Sequence, residues 1–251
     1  VHRCNHPRAT HLRAELPCAL PWPRDGRLFH AHFSPPCTRL SQLQGGRIDK
    51  SEHTAAVDLV EWSLLEALSC GATSWSLEQV NVESVRVVLE RVRLANLKRV
   101  AWAIFPFHEL GVPQRRTRIL AGPPSLIRRM LQLRLTQPRR SIREALEGRV
   151  QAPHLRNSTS WFKRRERQKR KPGESRYVYA KCAWSTNLVP VDGPAPTLLA
   201  SNNNLTWIQL EGGQVHRSVI TAEEAKRLQT FPASFILPDN RALAQRIIGN
   251  A

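Results

Sequence analysis

The sequence has few of the features that would let a metal or disulfide bonds hold a fold together. Its 251 residues include five cysteines, but no Cys-x-x-Cys pair and no matching Cys/His spacing. A structural zinc site is therefore not expected, and a disulfide framework has no support. Long apolar runs are also lacking, since none approaches the roughly 18 residues of a membrane span, and no signal peptide is visible. We expect an intracellular protein that uses neither a metal nor a membrane.

Acidic side chains are scarce in one part of the chain. The formal net charge is +18, and residues 113–182 hold 20 Lys and Arg against only 4 Asp and Glu. The rest of the chain holds 18 against 16. A near-neutral body with one strongly basic segment is typical of proteins that bind nucleic acid. A solvated, partly disordered charged insert would have the same composition.

The apolar positions predict an α/β body. Four short stretches are typical of strands, and two longer stretches have apolar residues at the helical period. The strands are expected at residues 28–33, 73–77, 100–105 and 118–121, and the helices at residues 52–69 and 83–97. Strands that alternate with helices imply crossover connections and a parallel sheet with helices on its faces.

Composition divides the chain into three predicted segments. These are an α/β body over residues 1–121, a basic insert over 122–190 and a return segment over 191–251 that completes the body. In the return segment, Gly212-Gly213 is typical of a hairpin turn. Thr221 and Glu224 form a capping box, which predicts a helix running to about Thr230.

Five short motifs occur in a fixed order. They are Ser34-Pro35-Pro36-Cys37-Thr38, Glu78-Gln79-Val80, Val112-Pro113-Gln114-Arg115-Arg116-Thr117-Arg118, Leu228-Gln229-Thr230-Phe231-Pro232 and Ile248-Gly249-Asn250-Ala251. Each is weak alone, but the ordered set resembles the DNA cytosine-5 methyltransferases from about residue 28 to the end. The resemblance implies a Rossmann-like, S-adenosylmethionine-dependent methyltransferase sheet with a small basic target-recognition insert.

The resemblance implies catalytic roles for four side chains. Cys37 would be the nucleophile that adds to carbon 6 of cytosine, which makes carbon 5 reactive. Glu78 would engage the base as an acid, supported by Arg116 and Arg118, which we expect on one face of a strand. The local sequence is also compatible with non-catalytic roles. Cys37 could be a buried, unreactive cysteine, Glu78 could face solvent, and the two arginines could lie on an exposed basic strand edge.

The resemblance also implies the partners. The methyl donor would be S-adenosylmethionine, with Pro35 and Asn250 beside it, and the substrate would be double-stranded DNA. The target base must leave the duplex, at a cost of a few kcal/mol that basic side chains would offset. We expect DNA contacts from Gln114, Arg139, Arg140, Arg156, Lys163, Arg164 and Arg165. The basic run at 163–171 could equally be a localisation signal.

Three departures from the family pattern affect these expectations. Thr38 and Gln79 stand where glutamine and asparagine are usual. The family's opening strand and Phe-x-Gly-x-Gly loop, which form much of the donor site, have no counterpart in residues 1–36. We therefore expect poor donor binding. The missing glycine-rich segment could precede the given sequence, could be supplied by a second chain, or could have been lost together with the activity. Two alternatives therefore stay open, an RNA cytosine-5 methyltransferase and a truncated relative that only binds DNA.

Overall fold

A computed structural model describes residues 2–23, 25–40, 49–146, 176–181, 188–200, 205–211 and 214–251. The chain forms two compact units. We call Thr10–Pro106 with Thr117–Gln137 the α/β unit, and Val1–Ala9 with Phe107–Arg116 and Pro138–Ala251 the C-terminal unit. The helices are α1 (His2–Asn5), α2 (Lys50–Ser69), α3 (Glu83–Ala95), α4 (Pro124–Thr136), α5 (Ile142–Ala145), α6 (Ala222–Leu228) and α7 (Arg241–Asn250). The strands are β1 (His30–Phe33), β2 (Ser74–Val80), β3 (Ala101–Pro106), β4 (Thr117–Gly122), β5 (Arg176–Lys181), β6 (Leu188–Pro190), β7 (Thr206–Glu211) and β8 (Gln214–Val219).

The α/β unit contains a four-stranded sheet in the order β1-β2-β4-β3. Strands β1 and β2 are parallel, with Phe33 beside Leu77, whereas β4 is antiparallel to both of its neighbours. The predicted parallel sheet is therefore correct for β1 and β2 and wrong for β4. The link from β3 to β4 contains only a 3-10 turn at Phe107–Leu110. Because parallel strands need a longer crossover connection, β4 returns antiparallel.

Helices α2 and α3 pack against each other, and α2 also packs on β1 and β2. Asp49 caps the start of α2 by accepting a hydrogen bond from the Ser51 backbone N–H, at 2.7 Å. The helix ends at Ser69, and Gly71, two residues later, has a φ of +76°, which favours glycine. Leu64, Leu77 and Leu89 are fully buried in the core that these elements form.

Helix α4 packs on β3 and β4, although its residues fall within the predicted basic insert. Pro124 occupies its first turn, where a missing N–H costs nothing. The predicted boundaries at 121 and 190 thus do not coincide with the boundaries of the two units.

The C-terminal unit contains a second sheet, in the order β6-β5-β7-β8, with every pair antiparallel. Its core buries Leu198, Trp207, Leu228 and Ile248. The predicted capping box is present at the start of α6. The predicted hairpin glycines, 212 and 213, lie outside the described residues. Within the described part of the chain, no helix is long and apolar enough to span a bilayer.

Candidate active site

Glu78 and Arg118 form an ion pair on the sheet of the α/β unit. Glu78 lies on β2 and Arg118 on the adjacent strand β4, where Val80 and Arg118 are register partners. Arg118 Nε is 2.8 Å from Glu78 Oε1, and the two side chains are 13% and 22% exposed. Pairing with a guanidinium fixes the orientation of the carboxyl group while one edge stays open to solvent.

The loop that carries Cys37 is tied to β2 by two hydrogen bonds. The Ser34 hydroxyl donates to Glu78 Oε2 at 3.0 Å. The amide of Gln79, which is 1% exposed, donates to the Pro35 carbonyl oxygen at 2.8 Å. Half-buried Cys37 lies two residues after Pro35, and its own carbonyl oxygen accepts a hydrogen bond from the Leu40 N–H at 3.0 Å. The structure thus holds the predicted nucleophile on a restrained loop anchored beside Glu78.

A row of polar side chains continues from Glu78 along the same face of β1 and β2. His30 contacts the hydroxyls of Ser74 (2.6 Å) and Ser76 (2.8 Å), and His32 contacts Ser76 at 2.8 Å. Partial burial lowers the pKa of His32, and nearby His30 lowers it further, while the Glu78 carboxylate opposes both effects. His32 is therefore held toward its neutral form.

A cavity of about 870 Å³ lies next to the Cys37 loop. Pro36 and Thr38, which flank Cys37 in the chain, are among its lining residues. The other lining residues are Leu16, Pro17, Arg39, Glu52, Ala55, Ala56, Asp58, Leu59 and Trp62. The wall therefore combines apolar and aromatic surface with two carboxylates, of which Glu52 pairs with Arg39 at 3.0 Å. Pro35, the predicted donor contact, is instead buried, and Pro36 reaches the cavity.

Arg116 lies in the C-terminal unit, although it precedes Arg118 by only two residues. It is 3% exposed, and its Nη1 donates to the Gly249 carbonyl oxygen at 3.2 Å. The expectation that Arg116 and Arg118 share one face of a strand is wrong, because β4 begins at Thr117. Ahead of it, the Arg116 backbone N–H bonds to the carbonyl of Gln114, in a turn rather than an extended strand.

The predicted DNA contacts differ in accessibility. Gln114 is fully buried and accepts a hydrogen bond from the Leu198 backbone N–H at 2.9 Å, which argues for a structural role instead. Arg139 and Arg140 are exposed, and Arg139 lies 3.3 Å from Glu109. Arg156, Lys163, Arg164 and Arg165 lie outside the described residues. Asn250, the second predicted donor contact, is exposed at the end of α7.

Sequence reasoning missed the residues that hold the site together. Gln79 follows Glu78 directly and Ser34 precedes Cys37 by three residues, and this closeness in the chain was the available signal. In the C-terminal unit, Gln229 Nε2 donates to the Ile248 carbonyl oxygen at 2.6 Å. No local signal predicted this contact, because the two residues lie 19 positions apart in the chain. Among the described residues, no group of three or more His, Cys, Asp or Glu side chains could hold a metal ion.

A family model described as C-5 cytosine-specific DNA methylase matches residues 83–251, which is more than half of the chain. The matched range includes Arg118 and Asn250 but begins after Cys37 and Glu78. No curated protein matches the sequence.

Solved structures of methyltransferases share the fold. A DNA modification methyltransferase encoded within an E. coli prophage is 14% identical, with a TM-score of 0.51, covering 88% of this chain and 74% of that one. The Dnmt2 methyltransferase of S. pombe is 13% identical, with a TM-score of 0.52, covering 88% and 72%. At these identities the likeness shows the fold, which is the Rossmann-like fold of S-adenosylmethionine-dependent methyltransferases.

Proposed function

The chain belongs to the C-5 cytosine-specific DNA methylases, and we propose that it methylates DNA through a covalent bond between Cys37 and a cytosine turned out of the duplex. The observation that carries this proposal is the arrangement around Glu78. Arg118 holds one oxygen of its carboxyl group and Ser34, three residues before Cys37, holds the other. An acid is thereby fixed beside the loop of the nucleophile.

The chemistry follows from the electronic structure of the ring. The Cys37 thiolate forms a bond to carbon 6, and the displaced electron pair moves toward N3, where Glu78 donates a proton or a hydrogen bond. Carbon 5 then becomes enamine-like and can accept a methyl group. A water molecule then takes the proton from carbon 5, and the electron pair of that C–H bond forms the double bond between carbons 5 and 6. The carbon–sulfur bond breaks, the sulfur leaves as the thiolate, and the proton on N3 returns to Glu78.

Arg118 and Ser34 position the acid without blocking it. A carboxyl group has two oxygen atoms, each with more than one lone pair, and these two partners use one lone pair on each oxygen. The Glu78 carboxyl group is therefore not saturated by these two contacts and can still engage the base. Gln79 has a parallel task, because its bond to the Pro35 carbonyl fixes the loop two residues before the sulfur.

The cavity beside Cys37 fits the nucleoside part of S-adenosylmethionine. Its volume of about 870 Å³ is within the usual range for small-molecule sites. Trp62 would offer an aromatic surface for the adenine, and Asp58 and Glu52 would offer acceptors for the ribose hydroxyls. The donor, when bound, supplies the methyl group for carbon 5.

For DNA, we propose that exposed basic side chains contact phosphates and that the base leaves the stack before reaction. Arg139 and Arg140 are the exposed candidates in the described part of the chain. The candidates within residues 156–165 rest on the sequence alone, and Asn250 stays a donor contact proposed from the family resemblance.

Thiolate addition can be tested without the donor. A Cys37 adduct makes carbon 5 basic, so its hydrogen should exchange with deuterated water in a duplex oligonucleotide, detected by mass spectrometry. We expect Cys37→Ala to abolish this exchange and methyl transfer. The matched control is Cys4→Ala, since Cys4 is exposed in the C-terminal unit and its loss should change neither.

Exchange that persists in Cys37→Ala would refute the assigned nucleophile. The same assay with RNA of equal sequence separates the two polymers, because faster reaction on RNA would favour an RNA methyltransferase. If the hydrogen on carbon 5 exchanges but no methyl group is transferred when the donor is added, the chain forms the Cys37 adduct with cytosine but does not bind the donor.

A further inference from the structure

Two histidines and two serines form a continuous row of hydrogen bonds on the face of β1 and β2 that carries Glu78. The strand register places His30 beside Ser74 and His32 beside Ser76. His30 contacts the hydroxyl of Ser74 through Nδ1 and that of Ser76 through Nε2. His32 contacts the same Ser76 hydroxyl through Nδ1. All three contacts are between 2.6 and 2.8 Å, and we call these four residues the His–Ser row.

Glu78 is the next side chain along this face. It follows Ser76 by two residues on β2, just as Ser34 follows His32 by two residues in the chain. Residues two apart on a strand point to the same face and lie about 6.6 Å from each other. The hydrogen bond from the Ser34 hydroxyl to Glu78 spans this next position. His32 and Glu78 are also close enough for their charges to interact, so the His–Ser row ends beside the proposed acid.

The hydroxyl of Ser76 couples the two imidazoles. A serine hydroxyl has one proton to donate, whereas Ser76 contacts a ring nitrogen of each histidine. It must therefore donate to one ring and accept from the other. When Ser76 donates to His30, the ring proton of neutral His32 is on Nδ1. When Ser76 donates to His32, that ring proton is on Nε2. The two arrangements differ by the passage of one proton along the row.

Glu78 needs a source for the proton that it gives to N3 of cytosine. Its partners in the structure, Arg118 and Ser34, do not release a proton near neutral pH. His32 is exposed, and its Nε2 has no hydrogen-bond partner among the described residues. This nitrogen is therefore accessible to a water molecule shared with Glu78.

The charged surroundings of His32 keep its ring suited to passing a proton. Partial burial lowers the pKa of His32, the Glu78 carboxylate opposes this effect, and nearby His30 lowers the pKa further. Arg118 on β4 is directed at Glu78 and holds its other oxygen. A neutral imidazole accepts a proton at one nitrogen while it releases one from the other, which an imidazolium cannot do.

We propose that the His–Ser row is a proton relay for Glu78, with His32 as its last member. The inference rests on the proposed function, in which Glu78 protonates the base, and it deepens the role of that site. His32 acts through Glu78 and does not touch the cytosine. The row connects the acid to solvent at its far end, where Ser74 lies.

The transfer is balanced at each atom. As the carbon 6–sulfur bond forms, the His32 Nε2 proton crosses one water molecule to Glu78, and Glu78 passes a proton to N3. Ser76 then gives its proton to His32 Nδ1 and takes one from His30 Nε2. The Nδ1 atom of His30 takes a proton from the hydroxyl at the end of the row, which regains one from solvent. When the sulfur leaves, the N3 proton returns through Glu78 and the row resets.

The first test asks whether His32 carries a proton or only supports the sheet. His32→Ala should slow donor-free exchange of the carbon 5 hydrogen about tenfold. Free imidazole should restore part of the rate, because it can enter the exposed space and carry the same proton. The control is His53→Ala, since half-buried His53 contacts Ser84 in the same unit and lies outside the row. Neither this substitution nor imidazole should then change the rate.

The second test interrupts the row and leaves both histidines in place. Ser76→Ala removes the hydroxyl that joins the rings and should slow exchange about fivefold, because solvent must then reprotonate His32. Ser76→Thr keeps a hydroxyl on a strand residue and should stay within about twofold of the unaltered chain. Thermal denaturation checks that each variant is folded, and the Ser76 pair decides the matter if His32→Ala does not fold.

A folded His32→Ala variant with the unaltered exchange rate would overturn the inference. A loss that imidazole does not repair would make His32 structural, and equal rates in Ser76→Ala and Ser76→Thr would exclude a relay through the row. Failure of the proposed function gives a different result, since exchange would then survive Cys37→Ala. Failure of the relay alone leaves an exchange that requires Cys37 but not His32.

Discussion

The two compact units hold their functional side chains in different ways. In the α/β unit, Glu78 is held by other side chains, Arg118 and Ser34, and the group keeps contact with solvent. In the C-terminal unit, the turn at residues 248–251 is held through backbone carbonyls, by the buried Arg116 and by Gln229. The first arrangement orients a carboxyl group, which we propose is the acid, whereas the second fixes the course of the chain.

This difference has an energetic consequence. Partly exposed ion pairs add little to stability, because hydration of the separated charges offsets most of the attraction. A buried carbonyl that loses its donor, or a backbone contact forced apart, costs considerably more. Substitutions near Glu78 should therefore affect rate more than stability, and substitutions in the turn should affect stability more than rate.

Glu78→Gln should produce the largest change in rate. It removes the acid while preserving shape and one carbonyl oxygen, so methyl transfer in a single turnover should slow by about 10²–10⁴-fold. Affinity for DNA and the melting temperature should change little. The matched control, Glu83→Gln, alters an exposed glutamate that pairs with Arg86 on α3 and should leave the rate unchanged. Collapse of the melting temperature in Glu78→Gln would instead assign the residue a structural role and remove the contrast between the units.

Gly249→Ala should produce the largest change in stability. Its Cβ would overlap the backbone at Leu199 and Ala200, which we expect to cost about 3 kcal/mol of unfolding free energy. Alanine is the better helix former by about 1 kcal/mol, so the clash must outweigh this gain. Gly193→Ala is the control, because its nearest atom, the Pro190 oxygen, lies at an ordinary 3.5 Å. Equal unfolding free energies for the two variants in urea would show that the turn tolerates displacement.

The sequence allowed much of the α/β unit to be predicted. The spacing of apolar residues and the positions of proline and glycine predicted β1 to β4 and helices α2 and α3. In each of these elements, the residues that the pattern marks as apolar are the ones that the fold buries. The direction of β4 could not be read in this way, since pairing direction depends on connection length and packing rather than on its own residues. Helix α4 was missed because its arginines resemble those of the basic segment that follows, although Ile127 faces the core.

Motif order identified Glu78 and Arg118, which the structure pairs, and it placed Cys37 on a restrained loop. It could not separate Arg116 from Arg118. Alternation along a strand holds only within the strand, and the strand begins between them. The partners of Arg116 and Gln229 are backbone carbonyl oxygens far along the chain. Every residue type has such an oxygen, so the sequence does not indicate which one accepts the hydrogen bond.

The smallest expected effect concerns the pH dependence of stability in the α/β unit. The pKa of His32 is lowered in the folded state by burial and by His30, while Glu78 opposes the shift. Below the ordinary histidine pKa of about 6.5, the unfolded chain therefore binds a proton more readily than the folded chain. Stability should fall with decreasing pH from there down to the folded-state pKa, and recover as pH rises.

His32→Gln should remove this contribution and flatten the pH profile of unfolding free energy in that window. The change in slope should be well below the limit of about 1.4 kcal/mol per pH unit for one proton, because the imidazole is partly exposed and screened. Above pH 7.5 the two chains should differ by a constant amount, which is the internal control. A steeper loss of stability at low pH in His32→Gln would mean that the imidazole binds its proton more tightly in the fold. In that case attraction to Glu78 outweighs burial, and the polar face of β1 and β2 is electrostatically part of the Glu78 site.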